Sequence, residues 1–164
     1  MRLIKLGLIS VIVMTALMLL LSLMFPSVVI VSRATDIHAP KSTIFPLVRN
    51  MNFWNKWVEG MNNANVVVYN EDSAKLGSTI VRVMGETDTT IISKWYTVNA
   101  AEQESTIRFI TNTSQNITVV QWQFIQHIKW YPWEKFASMM NDKIIGARIE
   151  QNLANLKKLL EEGE

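Results

Sequence analysis

The 164-residue chain contains no cysteine. That single absence removes disulfides, thiolate nucleophiles and cysteine metal sites together. Histidine is nearly as scarce: only His38 and His127 are present, too few for a histidine-built zinc site. Neither sign of charge dominates, since sixteen Lys and Arg stand against fourteen Asp and Glu. A formal +2 mixed along the chain gives no reason to expect a nucleic-acid partner. No glycine-rich phosphate loop, nucleophile elbow or metal-ligand spacing occurs, and there is no internal repeat or low-complexity tract.

What the chain does have is a long apolar run near its start, "LGLISVIVMTALMLLLSLMF", twenty residues from Leu6 to Phe25 without a charge. At 1.5 Å per residue that is enough to cross a hydrocarbon core of roughly 30 Å, and it is read as a membrane anchor over residues 1–26. A cleaved signal peptide would need a shorter apolar region, roughly 7 to 15 residues, and small residues at a cleavage site, whereas bulky "FPSVVIV" follows here. A buried core helix would need partners on every face, which a domain of this size can hardly supply. Arg2, Lys5 and the amino terminus precede the run, and no basic residue follows until Arg33. The basic-inside bias then keeps the N-terminus in the cytoplasm and puts residues 27–164 on the outer side, periplasmic if the cell envelope has two membranes.

Past Pro26, "VVIVSRATDI" is β-branched and reads as a strand ending near Ile37, before "HAP". "KSTIFPLVRNMNFWNKWVEG" reads as two short helices, the first kinked or divided by Pro46, the second placing Trp54 and Trp57 on one face. Five alternating segments follow: "VVVYN", "STIVRVMG", "TTIISKWYTV", "STIRFIT" and "ITVVQWQFIQHIKW". The turn-prone stretches between them, among them "NEDSAKLG" and "GETD", predict an antiparallel meander.

Parity assigns the faces of that sheet, because one face of an antiparallel sheet is commonly wet. Gln121, Gln123, His127 and Lys129 fall on one side of the last strand, and Val120, Trp122, Phe124, Gln126 and Ile128 on the other. The second set points inward, as do Val81, Val83, Ser93, Trp95, Thr97, Ile107 and Phe109, unless a bulge reverses the parity. From Trp133 to about Glu162 the pattern becomes helical, with an apolar stripe at Phe136, Met140, Ile144, Ile149, Leu153, Leu156 and Leu160. A helix of that length is roughly 45 Å long and can lie across a whole sheet. Gly146 in its middle suggests close approach to another backbone or a slight bend, and the acidic end "EEGE" opposes the helix dipole and predicts a frayed last turn.

The order is α+β: strand, two short helices, meander, and one long helix laid across the concave side of the sheet, a helix-grip arrangement. "VSRATDIHAP", "NFWNKW", "VVQWQFIQHIKWYPWEKF" and "MMNDKIIGARIEQNLANLKKLL" resemble the START-like SRPBCC superfamily, and more narrowly its membrane-anchored bacterial members labelled polyketide cyclase or dehydrase-like. The sequence shows six strands where that family commonly has seven. The resemblance implies an apolar pocket between sheet and helix for a lipid-like, aromatic or polyketide-like small molecule. Its sheet wall would be Trp95, Phe109, Trp122 and Phe124, and its lid Phe136, Met139, Met140, Lys143 and Ile144; inward Gln126 either orients a ligand's polar group or bonds backbone at the sheet edge or Lys143. Large aromatics facing an apolar stripe also make ordinary solid cores, and both readings stand at this point. In "KWYPWEKF" the proline suits a first helical position, and Trp130, Tyr131 and Trp133 either anchor the helix, border a pocket mouth or sit at a membrane interface.

No catalytic set emerges. His38 lies in a turn, His127 on the wet face, and the carboxylates fall in loops or on the outer side of the long helix. The expectation is therefore a membrane-anchored binder of a hydrophobic small molecule, with no catalytic residues, no metal and no cofactor. Two other readings are a cyclase or dehydratase acting through Gln126, Lys143 or Tyr96, and an interaction module with a closed core.

Overall fold

The computed structural model describes the chain apart from residues 1, 25, 99, 113, 130 and 164, and apart from the side chains at 3, 136, 137, 139 and 141. The apolar run forms α1, Arg2–Met24, whose side chains are almost all exposed. Then come β1 (Val28–Ile37), α2 (Lys41–Arg49), a 3₁₀ helix (Met51–Lys56), β2 (Val66–Asn70) and β3 (Ser73–Leu76). β4 (Thr79–Thr87), β5 (Thr90–Thr97), β6 (Gln103–Asn112), β7 (Ile117–His127) and α3 (Pro132–Glu161) complete the chain. Pro46 does not divide α2, which runs through it to Arg49. Fully buried Ile44 and Val48 flank it, and their burial offsets a proline cost of about 3 kcal/mol.

The strands form one curved, wholly antiparallel sheet of seven in the order β1-β7-β6-β5-β4-β3-β2. The seventh strand, beyond the six that the sequence shows, is β3, whose "SAKL" lies within the turn-prone stretch "NEDSAKLG". Four residues are too few for alternation to stand out, yet Ala74 is fully buried and pairs with Val68 on one side and Val81 on the other. Parity holds along β7: Thr118, Val120, Trp122, Phe124 and Gln126 are all buried. Val81, Ser93, Ile107 and Phe109 are buried too, with Val83, Trp95 and Thr97 half-buried beside them. β4 has an irregularity between Val83 and Gly85, beyond which its side chains are exposed.

α3 crosses the inner face, and Ile149, Leu153 and Leu156 seal its C-terminal half into the core. Its N-terminal half departs from the expected stripe: Met140 and Ile144 are 56% and 51% exposed. Stepping five residues from Ile144 to Ile149 turns about 140° around a helix, so the two cannot share a face. The buried face instead runs back from Ile149 through half-buried Ile145 to Ser138 and Lys135. Pro132 opens the helix after extended Tyr131, as its ring suits.

Gly146 makes room for a side chain rather than a backbone. A Cβ there would lie 2.3 Å from Arg33 Nη2, and that guanidinium crosses the helix to pair with Asp142 at 3.3 Å and Glu150 at 4.0 Å. Nor is the acidic C-terminus simply frayed. The His38 backbone N–H donates to Glu161 Oε1 at 2.8 Å, and His38 Nδ1 lies 2.8 Å from the same oxygen. These bonds, the backbone one foremost, hold the Glu161 carboxyl below its ordinary pKa. The turn histidine is thus a tie for the end of α3.

Candidate functional site

Five aromatic rings line up along the inner face. Trp54 of the 3₁₀ helix and Trp57, which caps it, pack with their rings tilted at a centroid distance of 5.6 Å, and each lies against Trp122 of β7 at 6.2 and 5.7 Å. Trp122 continues to Phe124 at 5.6 Å, and Phe124 to Trp95 of β5 at 5.2 Å. All four indole N–H groups are spent inside the protein. Trp54 donates to the Val48 carbonyl at 2.8 Å, Trp57 to that of Leu47 at 3.2 Å, Trp95 to Ser93 Oγ at 3.2 Å and Trp122 to Ser105 Oγ at 2.7 Å. A buried indole needs such a partner, and once it is satisfied the ring offers only carbon surface to its other neighbours.

On the Trp95 side the aromatic wall is uncovered, and a cleft of about 360 Å³ opens between sheet and helix. Trp95, Trp122 and Phe124 form its sheet wall, and Ile145 and Ile149 its helix wall. Val58 and Leu76 close the flank. Polar groups gather at the rim. Thr79 and Thr97 bond to each other at 2.8 Å across β4 and β5, Gln103 stands opposite Trp95 on β6, and Glu59, Arg148 and Asn152 line the remaining edge. Asn152 is committed to structure, its Oδ1 accepting from the Glu59 backbone N–H at 2.8 Å; one turn on, Asn155 Nδ2 donates to the Trp57 carbonyl at 3.2 Å. These two asparagines tie the residues just after the 3₁₀ helix to α3, on the edge of the cleft.

The residues expected to make a pocket divide into groups. Trp95, Trp122 and Phe124 come together in the cleft. Phe109 lies elsewhere in the core, against Phe45 at 5.3 Å. Gln126 is buried on β7, opposite Val29 and Gln103, and is not a lining residue. Met140, Lys143 and Ile144 are exposed on the side of α3 turned away from the sheet, so they form no lid; the wrong phase of the stripe put them there. Phe136 and Met139 lie outside the described side chains, and Trp130 outside the described residues. Ile145, Arg148 and Asn152 replace the expected lid and were readable by stepping four residues back from Ile149 and one turn forward. Leu76 was hidden with the unrecognised β3. Among the described residues no three His, Cys, Asp or Glu gather as metal ligands.

No protein-family model matches the sequence, and neither does any curated protein. Solved structures do match. A START superfamily protein from Mycobacterium smegmatis superposes with a TM-score of 0.64 over 82% of this chain and 99% of its own, at 16% identity. CalU16 from Micromonospora echinospora gives 0.57 over 80% and 81%, at 13% identity. DynU16, from the dynemicin biosynthetic locus, gives 0.59 over 82% of this chain and 48% of its own, at 12% identity. At such identities the likeness is one of fold.

Proposed function

The domain has a START/SRPBCC-like fold, and from that premise we propose that the chain is a membrane-anchored binder of a hydrophobic small molecule held between the sheet and α3. The observation that carries this reading is the aromatic cleft: three indole or phenyl faces with no free donor meet two isoleucines across a gap of about 360 Å³. That volume is near the lower end of the usual range for small-molecule sites, roughly 300–1,000 Å³, so the ligand is a single acyl chain or a compact ring system rather than a two-chain lipid. Thr97, Gln103 and Arg148 at the rim suit a ligand with one polar end. Its role is binding and carriage, without a reaction. α1 serves as the anchor: residues Ile4–Met24 are long and apolar enough to cross a membrane and only 6% buried, and the basic residues before them favour an outward-facing domain.

The test is native mass spectrometry of the full chain released from detergent micelles, followed by solvent extraction. A stoichiometric apolar adduct that disappears in Ile145→Trp, with circular dichroism unchanged, supports the cleft as the site. A clean apo mass together with no saturable quenching of tryptophan fluorescence by fatty acids or aromatic probes would overturn it.

A further inference from the structure

We propose that the N-terminal half of α3 is a second membrane contact, its outward stripe of Trp133, Met140 and Ile144 lying in the leaflet at the C-terminal end of α1. This rests on reading α1 as a membrane span. Trp133, Met140 and Ile144 are 67%, 56% and 51% exposed, an unusual investment of large apolar side chains in a helix whose other half is sealed into a core. Their spacings of seven and four keep them on one helix face over about 16 Å. Trp133 borders α1, and among the described residues the stripe is otherwise left open at Met140 and Ile144.

The position of α1 says what does. Tyr131, Pro132 and Trp133 form an apolar groove of about 700 Å³ with residues from 10 to 19 of α1. If α1 spans the bilayer, those residues lie within the hydrocarbon, and so does the start of α3; what fills a groove at that depth is an acyl chain. The Tyr131 and Trp133 rings stack at 5.0 Å and 8°, presenting a broad aromatic surface to that groove. The placement is pinned. Lys135 is buried, and its Nζ donates to the Ser22 carbonyl near the end of α1 at 2.9 Å, which stops α3 from swinging off the anchor. Lys143, exposed beside the stripe, is placed to meet lipid phosphates.

The lack of native cysteine allows a direct test. Single cysteines at Met14, Lys75, Trp133, Met140 and Ile144 are spin-labelled in the full chain, reconstituted in phosphatidylcholine–phosphatidylglycerol vesicles, and probed with oxygen and a water-soluble nickel chelate. Circular dichroism checks each fold; all but Met14 are exposed sites of the domain, where labelling is tolerated. The expected result is that labels at 133, 140 and 144 resemble that at 14, with oxygen accessibility several-fold above the Lys75 label and chelate accessibility several-fold below it. A lipid-like signal at 14 with Lys75-like signals at 133, 140 and 144 overturns the second contact while leaving the anchor intact. A water-like signal at 14 overturns the anchor itself, and the proposal with it.

Discussion

The two halves of α3 are one continuous helix with opposite surroundings. From Ile149 onward Ile149, Leu153 and Leu156 face the sheet and are buried, with Leu159 and Leu160 partly buried beside them; before Ile145 the large apolar residues described face away from it. Between them sits Gly146, over which Arg33 passes to reach Asp142 and Glu150. The difference teaches that a helical apolar stripe need not serve a single partner. Here the sheet takes one phase of the stripe, and the other phase is left exposed, open to the second membrane contact proposed above.

The comparison can be broken most directly by truncation in each half. Leu156→Ala should cost about 2–5 kcal/mol in urea unfolding, because it empties a fully enclosed site. Met140→Ala should change stability by less than about 0.5 kcal/mol in detergent, as an exposed position does; equal losses would mean that both halves are core. Asn152→Ala should follow in size, at about 1–3 kcal/mol, since it leaves the Glu59 N–H without its buried acceptor and loosens the cleft.

Gly146→Ala sharpens the boundary between the halves. Alanine should gain about 1 kcal/mol in helix propensity. Its Cβ, however, displaces the flexible end of Arg33 from two partly exposed ion pairs worth about 0–1 kcal/mol, so the net change should be close to zero. In an Arg33→Ala background the same substitution should recover the full gain, and a double-mutant cycle measures it.

The smallest effect concerns the far end of α3. Glu161 has a lowered carboxyl pKa in the folded protein, so its contribution is present above the ordinary glutamate value of 4.5 and is lost as pH falls through the lowered one. Amide exchange at His38 should therefore speed up in acid beyond the intrinsic trend, and Glu161→Gln should remove that added dependence.

Much of this fold was legible because alternation and turn chemistry agree over long stretches. Alternation along the eleven residues of β7 assigns its faces and turns Trp122 and Phe124 inward, although it does not by itself tell a cleft wall from a solid core. β3 was not legible, because four residues flanked by turn formers resemble a turn. Its strand character comes from Val68 and Val81 on either side of Ala74, which is tertiary information. The lid of the cleft failed for a related reason: Ile144 and Ile145 are adjacent isoleucines, and only the partner surface decides which one the sheet takes. Arg33 over Gly146 was equally out of reach, since nothing local links a strand arginine to a helix glycine more than a hundred residues later.

Only three residues separate the end of α1 at Met24 from the start of β1 at Val28. β1 is paired with β7 along all ten of its residues, and the Ile128 N–H extends the ladder by donating to the Ser27 carbonyl at 2.8 Å. A pull on the anchor along the strand axis therefore loads the whole β1–β7 ladder in shear, with every rung resisting at once instead of parting one by one. If α1 is the membrane anchor proposed above, the β1 edge of the sheet is the mechanical mooring of the domain, and a leash this short leaves the cleft almost no freedom to drift from the membrane surface.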